Sequence, residues 1–236
     1  MQYVMLVRVD PELAATEAGA PVEPWVEEGA RTGMRLEGDP LEEVESATTV
    51  RVRDGKTLVS DGPYVETKEF IAGYDLLQAD DLEQAIDYAA RHPVAKFGAL
   101  ELREVWDDFV DEPEGEVRPP VEQGKEYLFV HAPARDGRPP TSREEGDPTP
   151  WVRNAQDRGV TLGGWRLRDA DPANSAVVRV RKGETLVTRG PFTETIEQVA
   201  GLDRIRVEDL DEAIGLAAAH PTSWFGVIEI RPLVMA

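Results

Sequence analysis

Arg51-Val52-Arg53-Asp54-Gly55-Lys56-Thr57-Leu58-Val59 decides the reading of this chain, because it returns 128 residues later as Arg179-Val180-Arg181-Lys182-Gly183-Glu184-Thr185-Leu186-Val187. Asp54-Gly55 suits a two-residue type I′ turn, which fixes the register of the two flanking strands. Val50 then faces Val59 and Val52 faces Thr57 on one surface, while Arg51 faces Leu58 and Arg53 faces Lys56 on the other. One surface reads as core and the other as basic.

The register of the repeat holds downstream without a gap. Gly62-Pro63-Tyr64-x-Glu66-Thr67 matches Gly190-Pro191-Phe192-x-Glu194-Thr195, Ala72-Gly73-x-Asp75 matches Ala200-Gly201-x-Asp203, and His92-Pro93 matches His220-Pro221. Upstream, Pro24-Trp25-Val26 matches Pro150-Trp151-Val152 and Tyr3 matches Tyr127. Self-similarity of this extent means a duplicated domain. The copies are expected at residues 1–106 and 125–236. Residues 107–124, acidic and proline-bearing, read as a linker.

Within a copy, Tyr3 to Val9 and its twin Tyr127 to Ala132 read as buried strands. A short helix follows, with Thr149 and Pro150 at its start in the second copy and Gly33 or Gly159 at its end. After the hairpin come a strand over Ile71 to Leu77, a helix opened by Asp81 or Asp209 and stopped at Pro93 or Pro221, and a last strand. Strand, helix, two or three strands, helix, strand is a ferredoxin-like α+β order. A sheet with helices on one face needs a cover on the other, and a second copy of the sheet is an economical cover. The expectation is a monomer with an internal pseudo-dimer, its two modules packed sheet to sheet.

The 236 residues carry a net charge of −20 and no cysteine, which excludes disulfides, thiolate metal sites and a cysteine nucleophile. Such acidity opposes binding to nucleic acid or an anionic membrane surface. The sequence shows neither a signal-peptide pattern at Met1 to Val9 nor a membrane-spanning run, so a cytoplasmic protein is expected. No phosphate loop, dinucleotide fingerprint, zinc spacing or calcium loop occurs, and no metal or cofactor is expected.

Asp61-Gly62-Pro63-Tyr64-Val65-Glu66-Thr67-Lys68-Glu69 followed by Ala72-Gly73-Tyr74 resembles the signature of the DGPF branch of the YCII-related family. The second copy departs at the first letter, where Arg189 stands in place of Asp61. The resemblance implies a dimeric α/β barrel and acid–base chemistry by a histidine and an aspartate. The family's first-helix histidine is missing here, with Trp25 and Trp151 in that region. The resemblance equally implies a regulatory partnership with an extracytoplasmic-function sigma factor.

The candidate site residues follow from position and type. Asp61, Glu66 and Glu69 gather carboxylates in a loop beyond a strand end, where a scaffold presents acid–base groups, or where a turn simply needs them. Asp75 and Asp203 sit in apolar strands and need a partner, either a hairpin arginine or Arg103 and Arg231, unless they are bases with a raised pKa. His92 and His220 suit capping of helix carbonyls. His131 ends the first strand of copy two without a counterpart in copy one. For cofactor-free isomerase or lyase chemistry, the expectation is Asp61 as base with Glu66 and His131 as helpers. Tyr64, Thr67, Glu69, Asp75, Glu194, Thr195 and Asp203 would line a small organic ligand. The second module as a purely structural cover is the remaining alternative. Arg51, Arg53, Arg179 and Arg181 either hold an anion or pair with the surplus carboxylates.

Overall fold

The computed structural model describes residues 1–14, 20–64, 69–106, 119–133, 140, 142, 145–190, 192 and 198–234. In chain order the elements of the first copy are β1 (Gln2–Val9), α1 (Pro11–Ala14), α2 (Glu23–Thr32), β2 (Arg35–Pro40), β3 (Thr48–Arg53), β4 (Lys56–Asp61), β5 (Phe70–Gln78), α3 (Leu82–Ala89) and β6 (Ala99–Glu104). The second copy repeats the plan as β7 (Lys125–Pro133), α4 (Thr149–Asp157), β8 (Thr161–Arg166), β9 (Ser175–Arg181), β10 (Glu184–Arg189), β11 (Gly201–Val207), α5 (Leu210–Ala219), α6 (Pro221–Phe225) and β12 (Gly226–Pro232). Among the described residues no helix is long and apolar enough to cross a membrane.

Local chemistry explains the element ends. Gly33 closes α2 in the left-handed conformation at φ 74°. Asp81 and Asp209 accept the N–H groups of Gln84 and Glu212, as their capping pattern predicts. Thr149 does not cap α4: it lies inside the helix, and the Asp147 carboxylate accepts both its N–H at 3.0 Å and its hydroxyl at 2.7 Å. The hairpin has the register expected from Asp54-Gly55, with Val50 opposite Val59 and Arg53 opposite Lys56. Asp54 and Gly55 both take positive φ, 51° and 72°, as a type I′ turn requires.

Among the described residues all strand pairs are antiparallel, in two six-stranded sheets ordered β10-β9-β6-β1-β5-β2 and β4-β3-β12-β7-β11-β8. Within each, four consecutive strands, β6-β1-β5-β2 or β12-β7-β11-β8, are a ferredoxin-like core drawn from one copy, and the hairpin beyond β6 or β12 comes from the other copy. Two compact units result, each discontinuous in sequence. Unit 1 is Met1–Leu41, Glu66–Asp107 and Leu167–Glu194; unit 2 is Glu42–Val65, Asp108–Arg166 and Thr195–Ala236. The stretch expected as a linker falls largely outside the described residues.

Unit 1 packs α2 and α3 on one face of its sheet, over Tyr3, Met5, Leu77, Leu100, Leu102 and, from the incoming hairpin, Val178. Unit 2 packs α4 and α5 over Tyr127, Phe129, Ile205, Ile228, Ile230 and the hairpin's Val50. Each hairpin is anchored by an arginine. Arg53 donates to the carbonyls of Ser223 and Gly226, both at 2.9 Å, and Arg181 to those of Ala95 at 2.8 Å and Gly98 at 3.0 Å. These guanidiniums hold backbone carbonyls at the start of the last strand and in the turn before it. Arg179 does pair with a carboxylate, Glu69, at 2.7 Å.

Candidate functional site

The site in unit 2 grows from three elements. The central strand β7 carries His131, its neighbour β11 carries Asp203, and the turn between α5 and α6 carries His220. Asp203 lies opposite Phe129, two residues before His131, so the alternation of the strand puts His131 and Asp203 on the same, helix-covered face. His131 Nε2 lies 2.7 Å from Asp203 Oδ2, and His220 Nε2 lies 4.0 Å from the same oxygen. The imidazole rings of His131 and His220 are 4.5 Å apart between centroids, and Trp151 meets His220 edge-on at 4.7 Å. Trp151 is itself fixed by an indole N–H donated to the Leu216 carbonyl at 2.9 Å.

Unit 1 has the same framework with different chemistry. Val7 occupies the place of His131, since Val7 pairs with Gly73 as His131 pairs with Gly201. Arg35 occupies the place of Thr161: both precede the same bulge in the strand that borders the aspartate's strand. Asp75 is held by Arg35 Nε at 2.6 Å, and Arg35 also donates to the Gly38 carbonyl at 2.6 Å. The arginine seals the carboxylate into a buried ion pair. In unit 2 a short Thr161 replaces it and a histidine supplies the partner. The partners predicted for the two aspartates, a hairpin arginine or Arg103 and Arg231, are therefore corrected. Arg103 and Arg231 lie instead beside Glu101 at 3.7 Å and Glu229 at 3.3 Å.

Burial pushes the Asp75 carboxyl up to about 6, against the opposing pull of Arg35. Burial also acts upward on Asp203, but the charge and hydrogen bond of His131, helped by His220, carry it net below the usual carboxylate range. His220 is pushed down to about 3 by burial first and by His131 second. His92, its counterpart, is pushed down to about 4 by burial and by Arg35. Both are neutral imidazoles at pH 7.

Their tautomer follows from a hydrogen bond. Nδ1 of His92 accepts the N–H of Val94, and Nδ1 of His220 accepts the N–H of Thr222, each at 3.1 Å. The predicted capping of helix carbonyls is thus corrected: each ring caps the start of the turn that follows it. An Nδ1 that accepts must leave the proton of the neutral ring on Nε2. This decides what the cluster can hold. One ligand atom each from His131, Asp203 and His220 falls within 4.8 Å of the others, residue types that bind divalent ions. A ligating histidine, however, donates its second ring nitrogen's proton to a neighbour. His220 has the opposite arrangement and presents N–H, not a lone pair, to the cluster. The trio is suited to protons and polar oxygen atoms. His131 Nδ1 is buried without a hydrogen-bond partner.

The other predicted residues scatter. Asp61 ends the exposed edge strand β4, three strands from β7, about 14 Å away at the usual strand spacing, so it shares no site with His131. The N–H of Tyr64 is taken by buried Glu229 at 3.1 Å, and that of Phe192 by buried Glu101 at 3.2 Å. Phe192 also lies under Arg8 at 4.3 Å. The aromatic residue of the motif thereby docks each hairpin end onto the last strand of its unit's core. Glu66, Thr67, Glu194 and Thr195 lie outside the described residues.

The YCII-related domain matches residues 1–108 and again 136–235, together most of the chain. The chain belongs to the YCII-related family. It carries the domain twice, as a tandem duplication. An uncharacterised protein of Rhizobium meliloti (strain 1021) is 43% identical over 44 residues, 19% of this chain and 36% of that protein's length.

Proposed function

We propose that unit 2 of this YCII-related protein transfers a proton on a small carbonyl-bearing organic molecule, as an isomerase or lyase without a cofactor. The carrying observation is the 2.7 Å contact between His131 and Asp203 in a cluster whose counterpart in unit 1 is closed by an arginine. Asp203 holds Nε2–H of His131 and leaves the Nδ1 lone pair to take a proton from carbon. The electron pair released from that C–H bond moves onto the carbonyl oxygen. The Nε2–H of neutral His220 supports the charge there without itself ionising. The proton returns from His131 to another carbon in an isomerisation. Unit 1, with valine and arginine in these places, is a structural partner. The face-to-face barrel that the family resemblance implies belongs to the same proposal.

Deuterium exchange tests this reading. A panel of enolisable ketones, keto acids and lactones is incubated with the protein in deuterium oxide and followed by proton NMR. Exchange of the α C–H is expected with the wild type and is lost in His131→Val, which installs the residue of copy one. Exchange that survives this substitution, or is absent across the panel, overturns it.

A further inference from the structure

Unit 1 contains a groove of about 310 Å³ lined by Ala20, Pro21, Pro24, Trp25, Glu28, Arg91, Pro93 and Lys96. We infer that this groove, which shares no residue with the His131 cluster, binds a small apolar carboxylate. Its volume is at the lower end of the range for small-molecule sites, about 300–1,000 Å³. Its walls are three prolines and an indole, rigid apolar surfaces that lose little conformational entropy on binding.

The charge balance selects the ligand. Arg91 and Glu28 pair at 3.2 Å and neutralise each other, and Arg91 is held further by donating to the Asp87 carbonyl at 2.9 Å. Lys96 makes no ion pair among the described residues, so the groove has a net positive charge in a chain of net charge −20. An apolar body with one carboxylate satisfies both the walls and the lysine.

The second copy serves as an internal control. The framework of the groove recurs there as Pro150, Trp151 and Pro221, while Glu28, Arg91 and Lys96 become Asn154, Ala219 and Trp224. The same scaffold thus folds with all three charges removed and an indole in the place of the lysine. The fold does not demand these charges.

Benzoate is the test probe, titrated into the full chain and followed through the Trp25 indole and the Val94 and Phe97 amides in ¹H–¹⁵N spectra. Saturable shifts at these groups are expected, with affinity at least about tenfold weaker for neutral benzamide and for Lys96→Gln. Lys96→Trp, the residue of copy two, is expected to abolish the shifts, and His131→Val to leave them unchanged, which separates this site from the proton-transfer cluster. Absence of saturation up to the order of 10 mM, equal binding of benzamide, or undiminished binding by Lys96→Gln overturns the inference.

Discussion

Asp75 and Asp203 occupy matched positions, and each shows what the other's surroundings do. Arg35 reaches Asp75 with both side chains largely buried, 15% and 7% exposed. Arg35→Ala is expected to cost about 3–5 kcal/mol because it strands a buried carboxylate. Adding Val7→His, which imports the pairing of copy two, should recover part of that loss in urea denaturation. No recovery would mean that His131 and Arg35 are not alternative partners. His92 gives a separate pH test. Its folded pKa of about 4 lies below the ordinary 6.5, so its contribution to stability is full above 6.5 and is lost as pH falls toward 4. The slope is about 1.4 kcal/mol per pH unit between those limits. Asp75, raised from 3.8 to about 6, acts with the opposite sign, since its protonation on acidification favours the folded state. His92→Asn retains an acceptor for the Val94 N–H and removes the titration. The denaturation midpoint of this variant should fall less between pH 7 and pH 5 than that of the wild type, and an equal fall would exclude His92 as the responsible group.

Turn chemistry sets the hairpins at the level of the element. Lys182 has φ 53°, a left-handed conformation that costs most side chains about 1–2 kcal/mol and costs asparagine far less. Lys182→Asn should therefore stabilise the protein by up to about 1 kcal/mol, read as a raised thermal midpoint, with no change at the His131 cluster. The same turn rule made the hairpin register legible in sequence, because Asp54-Gly55 and the branched alternation around it are local signals. Which sheet edge the hairpin joins was not legible. The edges of β6 and β12 descend from one sequence, and nothing local distinguishes them. The site was half legible for a similar reason. His131 stood out as an unmatched residue and Asp203 as a carboxylate in an apolar strand, but they lie 72 residues apart in sequence, and only the β7–β11 register joins them. His220 read as a helix-end residue, which it is. Its second nitrogen faces the cluster, a direction no spacing in the sequence encodes. Asp61 misled because a strand end can project toward a pocket or toward solvent, and the outermost strand takes it to solvent.

Hairpin exchange has a consequence for the whole molecule. Leu100 on β6 lies opposite Val178, and Ile228 on β12 lies opposite Val50, which are equivalent pairs in the two copies. The edge of β6 is thus shaped for a hairpin of the Val50 kind as well as for the one it receives, with Thr48 in the place of Ala176. Residues 1–106 expressed alone would leave β6 without its outer strands and Val50 without a core to enter. A lone chain cannot satisfy both deficits unless its own hairpin folds back, whereas two chains can exchange hairpins as the two copies do here. The half-length chain is expected to be a dimer by analytical ultracentrifugation, with unfolding that depends on protein concentration as coupled folding and association require. In that dimer Val50→Asp should remove both dimer and fold, because it places a charge in the core that the hairpin enters. A folded monomer of residues 1–106 at micromolar dilution would show instead that the hairpin closes on its own sheet, and that the exchange depends on the covalent link between the copies.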